Sequence, residues 1–173
     1  YALVGLIFEG EEKLEQAQQV LRELVIYNTK DAASQQALGT LKEIAIDLDQ
    51  VPQFTAWLKQ HNIASFSANE LEKTAYAAAE KQFLSNRKKQ AKKSFLSYLT
   101  SYPKGQNALQ AHFALAEIAL EEGLTAEALA HYQTLIDQSP NEFLEQALVR
   151  ATQILVKENR KEVCVSFIQE WTS

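Results

Sequence analysis

Pro103 and Pro140 stand 37 residues apart, and each closes an amphipathic segment. Shifting the sequence by 37 places Ala128 on Ala91, Tyr132 on Phe95, Ile136 on Leu99 and Ala116 on Ala79. Further steps of 37 toward the N-terminus put Phe54 and then Ala17 in the Ala91 position, and Leu58 and Leu21 in the Phe95 position. A step of 36 toward the C-terminus puts Cys164 and Ile168 in the same two positions. A recurrence of this length marks a repeat architecture, in which each element buries its apolar face by stacking on its neighbours. It constrains the fold more tightly than propensity does, because five segments must share one local structure.

Composition selects the helix as that structure. The 173 residues include only 5 Gly and 3 Pro, too few for the frequent turns of a sandwich or barrel, and a 46% apolar content excludes a disordered chain. The apolar spacing predicts helices in pairs: a truncated one near 1–9 with 11–28, then 31–48 with 51–61, 69–86 with 88–102, 105–122 with 125–138, and 141–158 with 160–171. Ser67-Ala68-Asn69-Glu70 and Asn159-Arg160-Lys161-Glu162 have capping-box spacing. Asp31 and Thr125 are expected to cap helices, Asp49 to cap the helix containing Pro52, and Pro140 to sit at the first position of the helix that follows it. Gly123 suits a left-handed turn between helices. The apolar residues of the connection 62–68 predict that it packs down.

The residues Ala79, Ala91, Phe95, Leu99 and Pro103, followed by Ala116, Gly123, Ala128, Tyr132, Ile136 and Pro140, resemble the tetratricopeptide repeat (TPR). The resemblance implies an all-α, right-handed superhelical solenoid. It implies one array over 1–173, with a partial repeat at 1–30 and repeats at 31–68, 69–104, 105–140 and 141–173. The match is strongest over 69–140. Thr152 and Cys164 fill the small positions of the last repeat, and Lys42 and Phe54 those of 31–68, where no Pro follows. The pattern Tyr76-x-x-Ala79-Glu80-x-x-Phe83 and Phe95-x-x-Tyr98-Leu99-x-x-Tyr102-Pro103 is similar to repeats of bacterial cell-envelope proteins. Among these are the Tol–Pal-associated cell-division coordinator and the lipoprotein of β-barrel assembly. That similarity implies a periplasmic or outer-membrane-associated adaptor; a cytoplasmic one is the alternative.

In TPR arrays the first helices of successive repeats line a concave groove. Carried onto this chain, the groove positions form three ladders: Glu43, Glu80, Glu117 and Gln153; Gln36, Lys73, Gln110 and Gln146; and the apolar Tyr76, Phe113 and Val149, with Ile46, Phe83, Leu120 and Val156 further along. The groove is expected to hold a partner segment between amide and carboxylate edges over an aromatic floor. The competing reading is that the aromatics are core and the glutamates a solvated face.

Charge is segregated. Residues 1–62 carry a net −4, residues 69–104 a net +5 and residues 105–173 a net −6, for −5 in all. The acidic total argues against a general nucleic-acid partner. The block Arg87, Lys88, Lys89, Lys92 and Lys93 reads as a solvated outer face, with an acidic partner, an anionic lipid or, last, nucleic acid as the functional alternative. No run is long enough to span a bilayer, so membrane contact is expected only through parts outside this sequence. Tyr1 to Phe8 lacks the basic start and small-residue cleavage site of a signal peptide. It reads as a helix cut in the middle, making the chain a fragment or processed form that could self-associate through residues 1–9. Two explanations stay open for the lack of Met: chance, or modified methionines omitted from the written sequence.

Catalytic signatures are missing. There is no phosphate-binding glycine loop, no zinc-protease motif and no pair of histidines at ligand spacing, so no catalytic residue, cofactor or metal is expected. His61 and His131 are expected as surface or packing residues, and His112 as a candidate partner contact. Cys164 reads as a buried structural thiol. The function that follows is noncovalent: a scaffold or adaptor for another protein or peptide segment. The alternatives are a regulatory or accessory repeat segment of a larger enzyme or repeat protein, a self-assembly module and a structural spacer.

Overall fold

The computed structural model describes residues 11–28 and 31–159. Among them the chain is all helical, with no strand. The helices are α1 Glu11–Tyr27, α2 Ala32–Asp47, α3 Val51–Gln60, α4 Ala68–Leu84, α5 Lys88–Ser101, α6 Ala108–Glu121, α7 Thr125–Asp137 and α8 Leu144–Lys157. Every helix expected between 11 and 158 forms. The segments expected at 1–9 and 160–171, the apolar Tyr1–Phe8 stretch and Cys164 lie outside the described residues, as does the capping box beyond Asn159.

The helix ends explain how so little Gly suffices. Asp49, Asn86, Gly123 and Asn159 all have left-handed φ, between 54° and 75°, at intervals of 37, 37 and 36 residues. The first three follow helices α2, α4 and α6 in the same way. The amide two residues past the last helical residue bonds back to the carbonyl three positions earlier: Asp49 to Ile46, Asn86 to Phe83 and Gly123 to Leu120, at 3.3, 3.0 and 3.1 Å. The next amide closes a wider ring, Gln50 to Ala45, Arg87 to Gln82 and Leu124 to Ala119, at 2.7, 2.9 and 2.8 Å. This is the Schellman motif, which satisfies carbonyls left over at a helix end. Asn and Asp tolerate the left-handed region better than other side chains, so they replace Gly at three of the four positions. Asn62, φ 53°, closes α3 in the same manner outside the period.

At the helix starts, Ser67 and Glu70 form the expected capping box, with Glu70 N–H donating to Ser67 Oγ at 3.2 Å and Ser67 N–H donating to Glu70 Oε2 at 2.8 Å. Asp31 caps α2 by accepting from Ser34 N–H at 2.6 Å. Three expectations need correction. Asp49 does not cap α3: its left-handed backbone belongs to the preceding turn, and its carboxylate accepts from Ser94 Oγ at 2.7 Å. Thr125 lies just inside α7 and donates its hydroxyl to Glu158 instead of capping. Pro140 stands outside α8, after a cis peptide bond, and Asn141 shapes the turn by donating to Leu135 O and accepting from Phe143 N–H.

The chain divides into two compact units, Tyr1–Ser94 and Phe95–Ser173, the division falling inside α5. In the first unit, α2 packs against α1, α3 and α4, and α3 also packs against α4. Its core contains Val25, Leu38, Leu41, Ala45, Phe54, Trp57, Leu58 and Ile63. The connection 62–68 does pack down: Ile63 is buried, and the Phe66 ring meets Phe54 edge-on at 5.8 Å. In the second unit, α7 packs against both α6 and α8. Five alanines, Ala116, Ala119, Ala128, Ala147 and Ala151, let these helices approach, and Tyr132, Leu135, Ile136 and Ile154 fill the space between. Adjacent helices thus pack in a repeating manner within each unit.

Candidate functional site

In the second unit an open cleft of about 380 Å³ is lined by Phe113 of α6 and by Glu145, Gln146, Val149 and Arg150 of α8. Glu145 with Val149, and Gln146 with Arg150, are i, i+4 pairs, which gathers the four on one stretch of the helix. The Phe113 ring is held from behind, stacked on Phe143 with centroids 5.1 Å apart and set edge-on to Tyr132 at 6.3 Å. Val149 remains half exposed. Volumes of this order lie at the small end of ligand pockets, which run from about 300 to 1,000 Å³.

The polar groups around the cleft differ in how far they are committed. Glu117, one turn beyond Phe113 on α6, accepts from the Tyr132 hydroxyl at 2.5 Å and pairs with Arg150 Nε at 3.4 Å. Burial, followed by the bond to Glu117 and its charge, pushes the Tyr132 hydroxyl well above the usual phenol range, so it stays a donor. Gln110 Nε2 donates to Glu142 Oε1 at 3.1 Å. Glu145 and Gln146 have neither an ion pair nor a hydrogen bond from their side chains among the described residues. The cleft therefore offers an apolar wall, a free amide, a free carboxylate and a guanidinium that is already neutralised. Among the described residues it holds no nucleophile paired with a base.

The first unit carries the other predicted groove residues. Gln36 and Glu43 of α2, and Lys73 and Glu80 of α4, are exposed. Glu43 lies 3.7 Å from Lys42 Nζ. Tyr76 is half buried and hydrogen-bonds to Glu80; burial first, then the Glu80 charge, pushes its hydroxyl up to about 12. Lys81 of α4 forms an ion pair with Asp47 of α2. Ile46 packs on the first unit's core and Leu120 on the second's, while Gln153 and Val156 are exposed on α8. Of the predicted residues, the structure brings Phe113, Gln146 and Val149 into one cleft, and links Glu117 to it through Arg150.

Sequence reasoning missed Arg150, Glu145 and Phe143. Arg150 and Glu145 were legible as neighbours of Val149 and Gln146 on the same helix; the Arg150–Glu117 pairing spans 33 residues and left no local trace. Two histidines treated separately in the sequence meet in the structure. His112 Nδ1 and His131 Nδ1 stand 3.0 Å apart, because α6 and α7 form an antiparallel hairpin around Gly123 that places the two rings opposite each other. Burial and the facing His131 hold the His112 imidazole down at about 4. Among the described residues no group of three or more His, Cys, Asp or Glu is placed to hold a metal ion, and no helix is long and apolar enough to cross a membrane. Arg87, Lys89 and Lys93 of the basic block are exposed, with Lys88 and Lys92 partly covered.

Neither protein-family models nor curated proteins yield a match to this chain.

Proposed function

We propose that this chain is a non-catalytic scaffold, a right-handed TPR-like solenoid that holds a segment of another protein. The observation carrying this reading is the cleft at Phe113 and Val149, where positions that the tetratricopeptide resemblance implies for the groove meet around an apolar wall with unused polar groups beside it. The recurrence of left-handed turns at Asp49, Asn86, Gly123 and Asn159 supports the repeat on which the assignment depends. A cell-envelope location rests on the aromatic pattern at 76–103 alone. A photo-crosslinking side chain at position 149, introduced into the protein in its source cells, should trap a discrete partner that Phe113→Ala diminishes. Adducts no stronger than those from a crosslinker at the exposed Gln53 would remove the proposal.

One observation favours a second reading, self-assembly. Val20, Leu24 and Tyr27 lie at i, i+4 and i+7 on α1 and are 49%, 39% and 91% exposed, an apolar stripe that a second copy could cover. Light scattering that returns a monomer at micromolar concentration would eliminate it.

A further inference from the structure

We infer that the segment held in the Phe113–Val149 cleft presents a lysine or arginine next to its apolar anchor residue. The inference rests on the proposal that this cleft holds a partner segment and adds the sign of the partner's charge. It comes from which charges around the cleft are already spent. Among the described residues Arg150 is the one cation lining it, and Glu117 pairs with it at 3.4 Å. Glu117 is itself anchored by the Tyr132 hydroxyl, so Arg150 can turn to an incoming anion only by leaving a carboxylate that is held in place. The acidic side of the balance is different. Glu145 has no partner among the described residues, and Glu142 receives only a neutral amide, Gln110. A hydrogen bond from an amide leaves the carboxylate charge standing.

The surroundings reinforce that sign. Between residues 95 and 159 there are 3 basic and 8 acidic side chains. Such a field draws in cationic segments and slows acidic ones before contact is made. A segment ending in a free carboxylate beside its apolar anchor is therefore the wrong partner for this cleft. A segment in which Lys or Arg flanks Leu or Phe places the apolar side chain between Phe113 and Val149 and the cation at Glu145 and Glu142.

The test uses the whole chain and three capped, fluorescein-labelled nonapeptides with a central Leu-Phe in a Ser/Ala background. The residues flanking the centre are Lys in one peptide, Ser in the second and Glu in the third. Fluorescence anisotropy should rank the Lys peptide tightest, by about three- to tenfold over the Ser peptide, the scale of one or two exposed ion pairs. The Glu peptide should bind weakest. The ratio of Lys-peptide to Ser-peptide affinity should fall to about one in Glu142→Gln/Glu145→Gln and in 0.5 M salt. Equal binding of the Lys and Glu peptides, with Phe113→Ala or Val149→Ser still weakening both, would overturn the charge inference and leave the cleft as a binding site. If neither of those substitutions changes the binding of any peptide, the cleft reading falls, and the inference with it. Glu142, Glu145 and Val149 are exposed, so their variants are expected to keep the parent's circular dichroism, which also serves as the check on Phe113→Ala.

Discussion

Phe54 and Ala128 occupy the same place in the 37-residue period, and both are fully buried, yet they build their units in different ways. In the second unit Ala128 lets α7 lie close against its neighbours, and the bulk is supplied elsewhere by Tyr132. In the first unit Phe54 supplies the bulk itself. It stacks at 6.3 Å with Trp57 and meets Phe66 from the connection that follows α3. The longer connection and the larger residue go together: Ile63 and Phe66 close around a ring that a short turn could not cover. Lys42, in the other small position of this repeat, extends its Nζ to 5.8 Å from the Phe66 ring, so its stem lies along the aromatic cluster while its charge reaches water. One period therefore admits two packing solutions, and the identity of the small position alone does not determine which is used.

Substitution at the paired positions tests that contrast most directly. Phe54→Ala should cost about 3–5 kcal/mol, because the cavity it leaves is walled by residues chosen to surround a ring. Urea unfolding followed by Trp57 fluorescence measures it, and a loss under 1 kcal/mol would mean that the unit can collapse to the alanine type. The opposite exchange, Ala128→Phe, should cost about 1–3 kcal/mol through overpacking against α6 and α8, read as a lower denaturation midpoint by circular dichroism. The turns should show no such contrast. Asn86→Ala and Gly123→Ala each place alanine in a left-handed turn and should each cost about 1–2 kcal/mol, whereas Asn86→Gly should cost nothing. A Cβ added at Gly123 meets nothing within 4 Å, so its loss would be conformational alone. The smallest effect belongs to the second unit's histidine pair. An imidazole in the unfolded chain takes its proton near 6.5, whereas His112 in the fold resists it down to about 4. Between those values the unfolded chain binds more protons, so this contribution is complete above pH 6.5 and is lost as pH falls toward 4. Denaturation midpoints measured across that window should slope less in His112→Asn than in the parent.

The elements legible in the sequence were those set by neighbours in the chain. The Ser67–Glu70 box, Asp31 and the turn at Gly123 each depend on residues within three or four positions, and each is found as expected. Asp49 and Thr125 misled because both residue types serve two purposes. Asp caps a helix start but also accepts a left-handed backbone at a helix end, and the geometry of α2's end decides for the latter. The Thr125 hydroxyl finds the side chain of Glu158, 33 residues away. The candidate site divides along the same line. The resemblance to the tetratricopeptide repeat implied that Phe113, Gln146 and Val149 line one groove. Whether Glu117 was free or committed depended on Tyr132 and Arg150, whose approach only packing decides.

The spacing of the left-handed turns also bears on how such a chain can be lengthened. Asn86 and Gly123 end their helices with the same two hydrogen bonds and with left-handed φ of 57° and 75°, so the same kind of turn follows both helices. Residues 87–123 therefore form a cassette with matching ends: a second copy inserted after Gly123 would begin from the backbone conformation that its first residue already follows after Asn86. Growth by whole-cassette duplication requires no new turn to be invented.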